Sequence, residues 1–491
     1  GRAAVTAARS VAELLAALRR EDLLVELRGE PSEVTGITTD SRTVERGNLF
    51  VAVRGSDRDG HRFAGPAAAA GASGGVVEGV QAGVDVPQIV VRDGRRAAIA
   101  LARAWHGDPA RRLSLVGVTG TSGKTTTTLL IRHLLNRRHD TGSIGTLGAF
   151  DGVGGSVPST AGSLTTPGPV DLQATLAALV AVGVERVAME ASSHSLDQGR
   201  LDGLVFDAAT FTNLSREHLD YHPSMEAYRL AKLKLLDQLA PTGVAAVNFD
   251  DPAWRDLEGR RGVVTFGVSP AAAVRAEQVT LLPALSRFLL AGRFGSADIS
   301  LPLPGDFNVA NALAAATTVL AMGLDLATVA ERLASAPQVP GRMERLVEQP
   351  CLVIRDYAHK PDALERVLRA LRPITSGRLV AVFGAGGDRD RGKRPIMGRI
   401  AAGLADLVVV TSDNPRTESP EAIMLEIAAG IPVDRAPRMI VDRREAIRWA
   451  IEQAGPDDTI LLAGKGHETY QIIGKEYFPF DEREIVAEIV A

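Results

Sequence analysis

The run Gly120-Thr121-Ser122-Gly123-Lys124-Thr125-Thr126 packs two glycines, a lysine and four hydroxyls into seven residues. Glycines let successive backbone N–H groups turn toward one anion, and a helix starting here adds the partial positive charge of its N-terminus. In such a loop Lys124 neutralises β- and γ-phosphate oxygens, and the Thr125 hydroxyl reaches Mg²⁺. The chemistry is that of a bound nucleoside triphosphate. The strict spacing requires glycine five residues before Gly123; Val118 stands there, with Gly117 one residue further back. A glycine turn that binds nothing is the competing reading. It loses because strand, loop, lysine, hydroxyl and helix all agree.

Further groups suited to phosphoryl transfer follow. Glu190 closes an apolar run and leads into Ala191-Ser192-Ser193-His194. A carboxylate at a strand end is by itself more often solvated than metal-bound. The stretch Asn213-Leu214-Ser215-Arg216-Glu217-His218-Leu219-Asp220-Tyr221-His222 sets two histidines among acids in one loop, which balances structural and metal-binding roles evenly. Lys232 falls in a helical stretch, where the ordinary expectation is a surface lysine. Asp388 to Lys393 reads alone as a solvated charge cluster.

The elements that must position these groups are those of an α/β protein. Apolar runs at 113–119, 186–190, 208–212 and 244–248 alternate with helical patterns, which signals a largely parallel sheet covered by helices. A Gly/Pro-rich insertion at 148–169 reads as a long loop, a place where function often resides. Before it, a helix near Val11 to Leu18 and strands at 36–42 and 48–53 make a smaller α/β unit, ending at the turn residues of Trp105-His106-Gly107-Asp108-Pro109. Beyond about 340, strands at 379–383, 407–411 and 459–463 each run into a polar or glycine-rich turn, where open α/β sheets bind ligands.

Composition bounds the rest. A chain of 491 residues implies more than one core, and 45% hydrophobic with 23% charged residues is ordinary for a globular protein. Aromatic residues are 4% and the net charge is −4, so neither a stacking platform nor bulk charge favours nucleic acid. The lone Cys351, in an apolar stretch, reads as a core residue and leaves no internal disulfide. No apolar run reaches the length of a membrane span and no signal peptide is visible, so we expect a cytoplasmic protein without membrane insertion, and a monomer.

Taken in order, several rare strings resemble the Mur ligases, the ATP-dependent amide-forming enzymes of peptidoglycan precursor synthesis. They are the loop at 120–125, Glu190 with Ser192-Ser193-His194, the stretch 213–222, Gly305-Asp306-Phe307-Asn308-Val309-Ala310-Asn311, Gly341-Arg342-Met343-Glu344 and Asp356-Tyr357-Ala358-His359. The resemblance implies an N-terminal α/β UDP-sugar-binding domain (1–107), a central ATPase domain with a mostly parallel sheet (108–340) and a C-terminal Rossmann-like domain that binds the amino acid (341–491). It implies that Lys232 is carbamylated and, with His218, ligates a second Mg²⁺ beside the one at Thr125 and Glu190. It implies that Asn308, Arg342 and Asp356 hold the adenine, phosphate and ribose of ATP, with His359 in the same site.

The resemblance also places UDP-N-acetylmuramoyl-L-alanyl-D-glutamate near Ser41, Thr165, Thr166, Ser192, Gln198 and Arg200. Hydroxyls, an amide and a guanidinium suit a sugar diphosphate. Asp413-Asn414-Pro415-Arg416 resembles the signature of family members that add meso-2,6-diaminopimelate, with Arg389, Gly464 and Glu468 completing the pocket. Diaminopimelate differs from lysine by a distal carboxylate, which a guanidinium clamps bidentately. Offered lysine, Arg416 would stay desolvated and unpaired, at a cost of roughly 2–5 kcal/mol. A lysine-adding ligase, a folylpolyglutamate-synthase-like ligase and a non-catalytic or motor-like ATPase are the alternatives. Arg355 departs from the family pattern, standing before Asp356 where an apolar strand residue is expected.

Overall fold

The computed structural model describes residues 10–31, 33–55, 58–159 and 164–491. The chain divides into two compact units, Gly1–Phe266 with Ala314–Leu324, and Gly267–Leu313 with Asp325–Ala491.

The first unit begins with a five-stranded sheet in the order Leu24–Arg28, Gln88–Val91, Gly74–Val77, Asn48–Val51, Gly36–Thr38. All pairings are parallel except that of the edge strand Leu24–Arg28. Successive side chains on a strand point to opposite faces. Leu49, Val51, Val76, Ile89 and Val91 therefore pack with Leu14, Leu18, Leu101 and Trp105 of the helices Val11–Arg20 and Gly94–His106. Phe50, Val77 and Val90 face the other way, onto Ala64 and Ala67.

The second sheet of this unit runs Val263–Gly267, Leu239–Asn248, Phe206–Phe211, Ser114–Thr119, Arg186–Glu190, Thr141–Gly145, Gly148–Phe150. It is parallel up to the last hairpin, as the alternation of apolar and helical runs predicts. Part of the segment read as a loop is thus strand: Gly148–Phe150 pairs with Thr141–Gly145. Ser114–Thr119 lies at the centre, so the loop after it sits between the carboxyl ends of two neighbours, Arg186–Glu190 and Phe206–Phe211.

The second unit holds an antiparallel meander, Val274–Leu281, Ser286–Gly292 and Gly295–Leu301, which sequence reading left inside a parallel region. Its six-stranded sheet runs Glu344–Val347, Leu352–Asp356, Thr459–Ala463, Leu379–Phe383, Leu407–Val410, Arg438–Met439. Only the Glu344–Val347 edge is antiparallel. Both faces are covered: Ile354, Ala381, Phe383 and Leu461 join one core, and Val353, Val380, Val382 and Leu462 the other. Strands buried on two sides need continuous apolar runs, and that is why they are plain in the sequence.

Candidate functional site

The phosphate loop is nailed to the end of the neighbouring strand. Thr121 N–H donates to the Asn213 carbonyl (2.7 Å), Ser122 N–H to Asn213 Oδ1 (3.0 Å), and Thr212 Oγ1 to the Ser122 carbonyl (2.7 Å). Gly120 has φ +147, and a Cβ there would lie 1.8 Å from Thr212 Oγ1. Gly123, at φ 81, opens the helix Lys124–Leu135. Lys124 Nζ donates to the carbonyls of Gly120 (3.0 Å) and Thr121 (2.9 Å), while Thr126 is buried within the helix. Gly120→Ala should therefore displace the loop and weaken ATP binding roughly 10- to 100-fold, from backbone strain and clash together. A nucleotide titration measures this.

Glu190 is 1% exposed, against the ordinary expectation for a strand-end carboxylate. Its Oε1 accepts from Thr125 Oγ1 (3.0 Å) and Thr146 N–H (2.8 Å), and its Oε2 accepts from Thr146 Oγ1 (3.2 Å). Thr146 Oγ1 also lies 3.3 Å from Thr165 Oγ1, from which it can accept, and Thr166 Oγ1 donates to the Glu190 carbonyl (2.8 Å). Thr166 lies 3.4 Å from Ser192 Oγ, and its own carbonyl accepts from Arg200 Nη1 (3.1 Å). Arg200 Nη2 donates to Gln198 Oε1 (2.6 Å). Five of the six residues assigned to the acyl substrate thus form one network with Glu190 and Thr125. Ser41 does not join it by any hydrogen bond among the described residues; it opens the turn Ser41–Thr43.

Lys232 is not a surface lysine. It is 1% exposed, and its Nζ donates to the Gly120 carbonyl (2.8 Å) and sits 4.4 Å from the centre of the Tyr228 ring. Burial, and then the nearby Lys124, hold its ammonium far below the usual lysine range, with Glu217 opposing. Its amine is accordingly biased toward the neutral, nucleophilic form. Tyr228, pushed up to about 12 by burial, bonds Thr121 Oγ1 at 3.2 Å. His218, at φ 57, stacks edge-on against His194 (4.8 Å between ring centres) and lies 6.0 Å from Tyr228. His218 and Lys232 thus flank one tyrosine ring beside the phosphate loop.

In the second unit, Asp356 Oδ2 accepts from Met343 N–H (2.8 Å) and the Arg342 guanidinium lies 4.8 Å from the Tyr357 ring centre. Arg355, the departure from pattern, is a buried partner of Glu344 (2.7 Å) and Asp481 (3.1 Å). Glu344 in turn accepts from Gly341 N–H (2.7 Å). The charge in the strand therefore braces the Gly341–Arg342 turn rather than disturbing it. Asn308 donates to the Pro304 carbonyl (2.8 Å) at the start of the helix Asp306–Ala321.

Asn414 Oδ1 accepts from Lys465 Nζ (3.0 Å) and Ile472 N–H (3.0 Å), which orients its amide to donate to Glu468 Oε2 (2.9 Å). Burial, and then Asp413, raise the Glu468 carboxyl above its usual range while Asn414 and Lys465 oppose. Gly464 has φ +117, and a Cβ there would lie 2.5 Å from Asp413 Oδ2. Arg416, at φ 52, donates to the Gly387 carbonyl (2.9 Å), and its Nη1 is 3.0 Å from where a Gly386 Cβ would be. Arg389, exposed on the same loop, donates to the Asp388 carbonyl (3.1 Å). Sequence reasoning missed two residues: Lys465, the buried ammonium that fixes Asn414, and Thr146 beside Glu190; neither carries a local signal in the sequence.

His359 and His467, whose ring centres lie 4.6 and 5.2 Å from that of Tyr357, are both pushed down to about 4, chiefly by burial. Unfolded, each returns to 6.5, so the unfolded chain binds more protons between the two values. Their contribution to stability is complete above pH 6.5 and is lost as pH falls toward 4. Thermal midpoints should drop over that window, and His467→Gln should flatten the drop.

Three family models cover most of the chain: the Mur ligase family catalytic domain at residues 33–106, the Mur ligase middle domain at 118–319, and the Mur ligase glutamate ligase domain at 341–466. The chain belongs to the Mur ligase family. This Mur ligase is 45% identical over 487 residues to the UDP-N-acetylmuramoyl-L-alanyl-D-glutamate–2,6-diaminopimelate ligase of Gloeobacter violaceus, covering 97% of this chain and 98% of that one. A solved structure of a ligase of the same description matches with TM-score 0.68 and 34% identity over 99% of both chains. The folylpolyglutamate synthase of Mycobacterium tuberculosis matches 75% of this chain and 91% of its own with TM-score 0.61, at 21% identity, which shows a shared fold alone. Among the described residues no helix is long and apolar enough to cross a membrane.

Proposed function

We propose that this Mur ligase uses ATP to join the D-glutamate side-chain carboxylate of UDP-N-acetylmuramoyl-L-alanyl-D-glutamate to an amine of meso-2,6-diaminopimelate, as a cytoplasmic monomer. The observation that carries the choice of amine is the Asn414–Glu468–Lys465 group with Arg416 in the same turn. A half-buried carboxylate and a half-buried guanidinium, both held by hydrogen bonds, suit an ammonium and the distal carboxylate of one molecule. A lysine-adding ligase has no use for that guanidinium. We place the domains at 1–107, 108–340 and 341–491; the gaps between the matched segments, 107–117 and 320–340, support this reading.

The carboxylate oxygen attacks the γ-phosphorus and ADP leaves, giving an acyl phosphate. The diaminopimelate amine attacks the acyl carbon, loses a proton, and phosphate departs with one oxygen of the original carboxylate. Lys124 neutralises charge on the transferring group. Thr125 and Glu190 are hard oxygen donors of the type Mg²⁺ prefers, and one or two protein groups suffice because phosphates and water complete its shell. When bound, Mg²⁺ supplies positive charge to the phosphate oxygens. Addition of CO₂ to the neutral Lys232 amine, with loss of a proton, would give the carbamate that, with His218, suits a second such ion. Asn308, Arg342, Asp356 and His359 are assigned to ATP, and Thr165, Thr166, Ser192, Gln198 and Arg200 to the acyl substrate. Starting with ¹⁸O in the D-glutamate carboxylate, one labelled oxygen should be found in the released phosphate. Unlabelled phosphate would rule out the acyl phosphate.

A further inference from the structure

Gln198 stands between two guanidiniums. Arg200 donates to its side-chain carbonyl through Nε (3.0 Å) and Nη2 (2.6 Å), and to the Thr166 carbonyl through Nη1 (3.1 Å). Arg95, the second residue of the helix Gly94–His106, donates through Nη1 to the Gln198 main-chain carbonyl and through Nη2 to the Arg54 carbonyl (2.9 Å). Both side chains are half-buried. Each is aimed by neutral carbonyls, and among the described residues neither forms an ion pair with a carboxylate. Other arginines of this unit do: Arg103 pairs with Asp108 at 2.8 Å, Arg186 with Asp140 at 2.5 Å, and Arg229 with Asp256.

Like charges brought together away from bulk water repel, and burial raises the cost of leaving them uncompensated. Arg200 registers this: burial lowers its affinity for the proton first, and Arg95 lowers it further. The surroundings point to a ligand as the compensating charge. Thr166, whose carbonyl accepts from Arg200, donates through Oγ1 to the main-chain carbonyl of Glu190 at the reacting end of the site, and Ser192 Oγ lies 3.4 Å from that same hydroxyl.

We infer that Arg95 acts with Arg200 as a two-guanidinium clamp on an anionic group, carboxylate or diphosphate, of the acyl substrate. This rests on the proposed function. Arg95 lies in the segment matched by the first family model and Arg200 in that matched by the second, so one anion would be held by two domains of the same compact unit. A guanidinium presents paired N–H donors to either anion, and a carbonyl-steered guanidinium keeps donors free for it.

The test is equilibrium binding of the UDP-dipeptide, of its analogue with the D-glutamate α-carboxylate converted to carboxamide, and of UDP. Each is titrated into the full chain and into Arg95→Gln and Arg95→Lys. Arg95→Gln should bind the UDP-dipeptide about 10- to 100-fold more weakly, with Arg95→Lys between the two. The thermal midpoint and ADP affinity should be unchanged. If the anion is the diphosphate, UDP weakens in parallel. If it is the carboxylate, UDP is unaffected, and the carboxamide binds wild type as weakly as the dipeptide binds Arg95→Gln. Equal dipeptide affinity in wild type and Arg95→Gln would overturn the clamp, as would losses of ADP binding and thermal midpoint that match the loss of dipeptide binding. A wild-type chain that binds no UDP-dipeptide would instead overturn the proposed function itself.

Discussion

Lys232→Ala should lower ligation turnover by at least about 10³-fold while leaving the thermal midpoint nearly unchanged or higher. The two halves of that expectation come from the same geometry. The amine is 1% exposed, lies beside the phosphate loop, and shares the Gly120 carbonyl with Lys124. An ammonium so placed is costly, so burial and Lys124 favour the neutral form. Only a neutral amine adds CO₂, and the resulting carbamate turns a buried cation into an anionic oxygen ligand. Folded and unfolded chains differ in proton uptake here. The unfolded lysine titrates near 10.5 and the folded one well below, so stability rises with pH between those values. Turnover measured with added bicarbonate, together with ¹³C NMR of labelled carbamate, checks the assignment. Normal turnover in Lys232→Ala would refute it.

Arg416→Ala should erase the preference for diaminopimelate over lysine. Arg416 is half-buried, and loss of a guanidinium that bound substrate would enclose against a carboxylate costs roughly 2–5 kcal/mol, which corresponds to about 30- to several-thousand-fold in kcat/KM for diaminopimelate. Lysine, lacking the distal carboxylate, should lose little or improve. Arg416→Lys should not rescue, because an ammonium cannot present two parallel donors. Arg416 also occupies φ 52, and its main chain bonds Ile472 (3.1 Å) and Gly474 (2.8 Å), so the side chain projects from a fixed backbone. Competition between the two amino acids in one reaction reads the ratio directly.

Much of the fold is legible because its strands are buried on both faces. The runs Arg186–Glu190, Leu379–Phe383 and Thr459–Ala463 fall where apolar continuity predicts them. The short hairpin strand Gly148–Phe150 has no such run, and its glycine reads as loop. The meander Val274–Leu281, Ser286–Gly292 and Gly295–Leu301 alternates buried and exposed positions, a weaker local signal than a continuous apolar strand. The phosphate loop could be read because its chemistry is contiguous. Lys232 could not be read from local pattern, since its environment comes from Gly120, 112 residues away. The place of Arg355 could not be read from its neighbours in sequence for a related reason. Its partner Glu344 lies directly across an antiparallel pair, and Asp481 comes from 126 residues further along. Arg95 carried no local signal at all; only the fold brings it to Gln198.

The most direct measurement is phosphate release from ATP by the purified chain with the UDP-dipeptide and meso-diaminopimelate, each omitted in turn, and with lysine in place of the diamino acid. The account predicts sustained release only when both acceptor and meso-diaminopimelate are present, with lysine at least about 30-fold poorer in kcat/KM. Release that continues without the UDP-dipeptide, or that runs equally well with lysine, would contradict it.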